Sequence, residues 1–412
     1  MPLQKLALKP GVNRENTRYT SEGGWYESDK IRFRQGTPEK IGGWQRISEA
    51  TFLGVCRSLW NWVTLGSQNL IGVGTNLKFY IENGGAYNDI TPLRATVSLT
   101  NPFTTTSGSP TVSVLDANGG YTSGDFVTFS GASAVGGLTL NGEFQITIDT
   151  TAANRYFITA SSNATSAATG GGTVSAAYQI NTGSAYVVPL TGWGAGSWGA
   201  GAWGTGGTSN TQIRLWSQIN FGEDLIFGPR NGPIYYWDAT AGLNSRGVTL
   251  ASISPVGANV PNVQDLILVS DISRFVFCFG CNDLATATKN PMLIRWSDQE
   301  NATQWTPAAT NQAGSLQLSR GAEIVAAKQA RQEVLVWSDS ALYALQYVGA
   351  PVVWGAQLVG ENISIASQNA VAYANGVAYW MGVDKFYMYD GRTQPLPCNL
   401  RKFVFNDFNT AQ

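Results

Sequence analysis

Five times this chain runs a short apolar strand into a tight turn and returns through a strand rich in aromatic residues. NLIGVGTNLKFYI (69–81), DLIFGPRNGPIYYWD (224–238), RFVFCFG with PMLIRWSD (274–298), EVLVWSDSALYALQY (333–347) and GVAYWMGVDKFYMYDG (376–391) share that form. Gly, Asn, Asp or Ser stands at each bend, as a hairpin requires. The aromatic residues of the returning strands are Tyr80, Tyr236, Trp296, Tyr343 and Tyr387, at steps of 156, 60, 47 and 44. With residues 95–209 set aside the first step falls to 41. A period of about 40–50 residues holding several strands is that of β-propeller blades. The residues therefore predict an all-β chain with a β-propeller-like body. A plain β-sandwich with similar hairpins is the competing topology.

The interruption has its own character. Residues 95–178 contain no Trp and no Lys, and Arg155 is their one basic residue against Asp116, Asp125, Glu143 and Asp149. Short Thr, Ser and Val strands alternate with Gly turns, and Phe126, Thr128 and Ser130 alternate with Val127 and Phe129. Period-2 alternation marks half-buried strands. This stretch reads as an inserted small β-sandwich or barrel whose core is largely its own. The expected organisation is 1–94 as an extended N-terminal segment with the first blade, 95–178 as the insert, 179–210 as a Gly/Trp-rich connection and 211–412 as the remaining blades.

Composition narrows the function. Histidine is absent, which removes Ser-His-Asp and Cys-His catalysis and His-ligated zinc. Cys278 and Cys281 form a lone CxxC in an apparent strand-to-turn context and read as buried structural thiols. GVGTN (72–76) and GPRNG (228–232) open no helix and read as hairpin turns, not phosphate loops. Charged residues make up 13% of the chain, against about 25% in an average soluble protein. Such a surface suits a subunit of a large assembly. A net charge of −1 argues against tight nucleic-acid binding but not against a neutral wall past which DNA slides. The opening MPLQKLALKPGVNRENTRYT has no apolar run of the kind a secretory leader uses, and no window of about 18 apolar residues offers a membrane-spanning helix.

Two stretches are candidates for contact with partners. In SDKIRFRQG, Lys30, Arg32 and Arg34 share one strand face by period 2, within a first 50 residues that hold nine Lys/Arg and six Asp/Glu. The face could dock on an acidic neighbour or touch DNA; the bland reading is a solvated strand face. TGWGAGSWGAGAWGTGG (191–207) places Trp193, Trp198 and Trp203 five apart among Gly and Ala. It reads as a linker whose indoles pack on their own domain, or as a loop whose indoles are buried only in an assembly. Burying an indole removes about 150–250 Å² from water, enough to order a Gly-rich loop. Membrane contact would lack a basic flank.

LKPGVNRENTRYTSEGGWYESDKIRFRQGTPEKIGGWQRI (8–47), NDITPL (88–93), RWSDQENATQWTP (295–307) and YDGRTQPLPC (389–398) resemble, in that order, the tail hub or nozzle family of short-tailed bacteriophages, which includes packaged-DNA stabilisation proteins. The run 122–144 resembles a small β-module that recurs in phage structural proteins. The resemblance covers most of the chain and rests on the order of its stretches. It implies a virion protein made in the host cytoplasm, without cofactor or catalysis. It also implies a homo-oligomeric ring, commonly a hexamer, around the DNA exit channel. The ring would retain packaged DNA and later release it, meeting adaptor or head-to-tail connector proteins on one side and tail fibre or needle proteins on the other. Five blades close awkwardly, so the resemblance implies either a longer chain or N-terminal strands that complete the ring. The alternatives are a glycan- or receptor-binding propeller and, less favoured, a propeller glycosidase. WSDQENATQW has the flavour of an Asp-box but lacks its spacing, and Asp298 and Glu300 would point to opposite faces of a strand.

Overall fold

A computed structural model describes residues 8–408 apart from 16, 21, 47, 184–212, 214, 256–258 and 272. Among the described residues the chain is all-β, with a propeller-like body of five four-stranded antiparallel meanders and one inserted sandwich. Blade 1 comprises Cys56–Val63, Asn69–Thr75, Phe79–Asn83 and Ala86–Asp89. Blade 2 comprises Trp216–Phe221, Asp224–Pro229, Tyr235–Trp237 and Val248–Thr249. Blade 3 runs through Leu266–Val269, Val276–Phe279, Leu293–Trp296 and Gly314–Gln317. Blade 4 is Ile324–Gln329, Glu333–Ser338, Ala341–Gly349 and Val353–Glu361. Blade 5 is Val371–Ala374, Val377–Met381, Phe386–Tyr389 and Thr393–Leu396.

The molecule divides into two compact units. One holds the described parts of 50–186 and 211–257, namely blades 1 and 2 with the sandwich. Their first strands lie side by side although the insert separates them in sequence. Trp62, Phe79 and Ile81 of blade 1 pack on Trp216, Leu225 and Phe227 of blade 2. The other unit holds the described parts of 1–49 and 258–412, with blades 3, 4 and 5. Here too the first strands of successive blades are neighbours. Alternation lets blade 4 face both ways: Val334, Val336 and Tyr343 pack toward blade 3, while Leu335, Trp337 and Leu342 pack toward blade 5.

The five marker aromatics all fall on third strands but not on one face. Tyr343 and Tyr387 point to the preceding blade, whereas Trp296 joins the core shared with the following one. Tyr236 lies opposite Tyr235 and Trp237, which face blade 1. One residue of slip in a connection reverses every side chain of a strand, so spacing finds the strand without finding its face.

The sandwich spans Leu93–Gln179 in sheets of four and five strands. Its core of Phe103, Val112, Val127, Phe129, Tyr156 and Val174 is distinct from those of the blades. Inside it the Tyr178 hydroxyl donates to Asp116 Oδ2 at 2.6 Å, and the Tyr156 hydroxyl lies 2.7 Å from that of Tyr178. The N-terminal strands Ile31–Arg34 and Thr37–Lys40 pair only with each other and add no strand to any of the five blades.

Candidate functional site

A shared local device shapes the entrance of two blades. In blade 1, Thr75 Oγ1 accepts from the N–H groups of Leu77 and Lys78 and so closes the turn between the second and third strands. Asn76 Oδ1 accepts from Val55 N at 2.7 Å, and the Tyr80 hydroxyl accepts from Leu53 N. In blade 4, Ser338 Oγ accepts from Ser340 N and Ala341 N, Asp339 Oδ1 from Ala322 N at 2.9 Å, and the Tyr343 hydroxyl from Arg320 N. Gly54 and Gly321 hold positive φ beside these oxygens, where a Cβ would lie within 2.8 Å of the Thr75 or Ser338 hydroxyl. Asn282 does part of the same work in blade 3, accepting from Asn262 N and Val263 N. These polar side chains therefore hold turns and entering loops.

The Asp-box-like stretch is structural in the same way. Asp298 and Glu300 lie in a turn and not on a strand, so the expected opposition of their faces does not arise. Asp298 Oδ1 accepts from Gln299 N and Gln312 N, and the buried Trp305 indole donates to Ala302 O. Cys278 and Cys281 are fully buried free thiols; burial, with Cys281 beside it, pushes the Cys278 thiol well above its ordinary value. Arg295, also buried, spends its guanidinium on the carbonyls of Asn282, Asn259 and Trp305. Among the described residues no group of three or more His, Cys, Asp or Glu could hold a metal ion.

The main charge centre joins the insert to the blades. Lys78 is almost fully buried, and its ammonium donates to Asp89 at 2.7 Å and to both oxygens of Glu143 on the sandwich strand Gly142–Gln145. The Phe126 ring lies 4.7 Å from the same nitrogen. Arg246 of blade 2's last connection reaches Asp89 at 3.5 Å and Thr91 O at 2.7 Å. Burial pushes the Asp89 carboxyl up, but Arg246 and Lys78 outweigh it and hold the group below its ordinary value. Sequence reasoning missed this centre, since its members are scattered from 78 to 246.

Of the predicted contact residues, Arg32 and Arg34 share an exposed face with Ile31 and Phe33 on the other. Glu39, opposite Arg32, takes Arg32 at 2.6 Å and Arg34 at 4.0 Å. Lys30 precedes the strand in left-handed backbone at φ 56° and lies 3.9 Å from Asp29, so it is not part of the alternating face. Trp193, Trp198 and Trp203 lie outside the described residues.

Apolar side chains are bare elsewhere. On blade 1 the side opposite blade 2 leaves Leu59 65% and Val63 59% exposed, and the following turn leaves Leu65 90% exposed. A groove of about 440 Å³ beside them is lined by Leu59, Trp60, Trp62, Leu70 and Ile71, with asparagines completing it. Trp44 of the N-terminal segment is fully exposed. In blade 4 the pairing of the second and third strands stops at Glu333–Gln346, while the third and fourth strands continue to Gly349–Val353. This hairpin tip exposes Val348 and Val352, and the Tyr347 ring beneath it packs on Phe275 and Trp354.

No protein-family model matches the chain, and no curated protein does. Among solved structures it is similar to the phage phi92 endosialidase, at 13% identity, 84% of this chain, 55% of that chain and a TM-score of 0.24. The chain thus spans about half the length of that protein. A second similar structure is BBS1N in complex with ARL6DN, at 9% identity, 85% and 84% coverage and a TM-score of 0.30. A third is the extracellular domain of the hybrid two-component system BT4673 of B. thetaiotaomicron, at 12% identity, 84% and 61% coverage and a TM-score of 0.30. Among the described residues no helix is long and apolar enough to cross a membrane.

Proposed function

We propose that the chain is a structural subunit of a short-tailed phage tail, of the hub or nozzle kind. Copies of it assemble into a ring, a hexamer by analogy with that family, around the channel through which DNA leaves. The polar clusters of the blades act as turn and loop supports, which suits a protein whose work is mechanical. The observation that carries the reading is the bare apolar surface of blade 1, where Leu59, Val63 and Leu65 stand in solvent on a chain poor in charge. Exposed apolar side chains grouped on one side of a sheet favour association. In the assembled tail the ring would meet connector proteins and fibre or needle proteins and let DNA pass without reading its sequence.

Sedimentation velocity and negative-stain imaging of the purified full chain test this. The expected result is a closed ring of identical copies. A chain that stays monomeric at every concentration refutes the reading. A monomer that binds on a saccharide array would instead favour the glycan-binding alternative.

A further inference from the structure

The fourth strand of every blade is a free edge of its sheet among the described residues, and four of the five edges are blunted. Ala86–Asp89 and Gly314–Gln317 have four residues each, and Val248–Thr249 has two and runs directly into the helical turn Leu250–Ile253. Thr393–Leu396 has four and contains Pro395. Shortness and proline both hinder a further strand from adding to an edge. Blade 4 has neither safeguard. Its fourth strand, Val353–Glu361, has nine residues, no proline and a single charge, Glu361, at its far end. From Trp354 to Leu358 it pairs with the third strand in unbroken register. Ala356, Gln357 and Leu358 are exposed, and nothing among the described residues pairs with the strand's outer side. Alternate residues of this run therefore present backbone N–H and C=O groups to solvent.

The two sides of the run differ. Ala356 and Leu358 lie opposite Leu345 and Tyr343, which face blade 3, so that side is apolar. Gln357 lies opposite Ala344, which faces blade 5. On the blade 5 side the strand continues into a groove of about 460 Å³, whose lining includes Val359, Gly360, Tyr387, Arg392 and Gln394. Arg392 is exposed and forms no ion pair among the described residues. Two acids close by are engaged elsewhere: Glu361 lies 3.6 Å from Arg320, and Asp390 accepts from the backbone N–H of Arg392.

We propose that this edge takes a fifth strand from a different polypeptide: an extended segment that is apolar toward blade 3 and carries a carboxylate toward blade 5, where Arg392 receives it. The backbone selects the class of partner, because another extended chain offers donors and acceptors at the spacing of the ladder. The charge selects its sequence, because a free guanidinium pairs with a carboxylate and repels a cation. The inference goes beyond the ring reading and does not depend on it, since a single copy presents the same edge.

Fluorescence anisotropy with labelled synthetic peptides and the full chain tests it. The first peptide is as long as the strand and alternates Thr and Val, with Glu in place of the central Thr. The second has Lys in place of that Glu. The third has prolines at its centre, which cannot donate to a ladder. The Glu peptide should bind saturably, the Lys peptide at least about fivefold more weakly, and the proline peptide not at all. Amides within 353–361 should gain hydrogen-exchange protection when the Glu peptide is bound. Arg392→Glu, in an exposed bend, should melt as the parent does and reverse the preference, so that the Lys peptide binds more tightly. No saturable binding of the Glu peptide, or binding that leaves 353–361 unprotected, overturns the inference. An unchanged preference in Arg392→Glu overturns it as well. Protection of the same amides without peptide, growing with protein concentration, would put a second copy on the edge and count equally against it. None of these failures touches the ring reading, which sedimentation decides.

Discussion

Blades 1 and 4 carry the same entrance device and meet different fates. Thr75, Asn76, Tyr80 and Gly54 in the one match Ser338, Asp339, Tyr343 and Gly321 in the other, in both role and order. Blade 4 is nevertheless covered on both faces, with Trp337 fully buried on one and Tyr343 on the other. Blade 1 is covered by blade 2 on one face and leaves Leu59 and Val63 bare on the other. Hydrogen bonds between residues close in sequence thus define a blade. They do not decide how many neighbours it has, because that depends on which sheets lie beside it.

The comparison breaks most readily at the buried positions. Trp337→Ala should cost about 3–5 kcal/mol through the cavity it leaves, whereas Leu59→Ala should shift the isolated subunit's stability by under about 0.5 kcal/mol. Denaturant titration of both variants measures the contrast, and equal losses would mean that both faces of blade 1 are buried within one chain. Lys78→Met belongs to the same range. It strips the buried cation from Asp89 and Glu143 and should cost about 3–5 kcal/mol, with the sandwich becoming more open to limited proteolysis. Loss of stability without added cleavage would show that the sandwich is held by other contacts.

Acidification should act at the same centre. The Asp89 carboxyl is held below its ordinary value in the folded chain, so its contribution is fully present above the unfolded carboxyl's pKa of about 3.9 and fades as pH falls through the folded value. Thermal melts from pH 6 to pH 3 should show a smaller acid loss in Asp89→Asn than in the parent. An identical pH profile would remove Asp89 from the account.

A smaller effect sharpens the likeness of the two entrances. Tyr343→Phe and Tyr80→Phe each remove an acceptor for a loop N–H, at 2.8 Å and 3.3 Å. Each should cost about 0.5–1.5 kcal/mol, with the shorter bond costing more. The smallest effect belongs to the N-terminal strands, where Arg34→Ala should change stability by under about 0.5 kcal/mol, since its contact with Glu39 is long and exposed. A larger loss in either unfolding experiment would place that residue under more cover than its surroundings provide.

The strands were legible because their signals are local. Alternation along 69–81 or 376–391, with turn residues at the bend, needs only neighbours in sequence, and the Gly-rich, Lys-free stretch 95–178 announced a separate small core. The faces of Trp296 and Tyr236 were not legible, because one extra residue in a connection reverses a strand and the connections have no periodicity. Lys30 failed for a related reason: φ of 56° takes it out of the alternation that Arg32 and Arg34 obey. Asp298 and Glu300 sit in a turn that the sequence pattern alone presents as the end of a strand.

The sequence by itself determined the all-β class, the repeated hairpins, the inserted module and the absence of imidazole chemistry, since each follows from residue types at short range. Only the tertiary structure decided that Lys78, Asp89, Glu143 and Arg246 would meet, that blade 4 would be covered twice, and that Leu59 and Val348 would be left in solvent. Those outcomes depend on which sheets pack together, and packing joins residues by space across any distance along the chain.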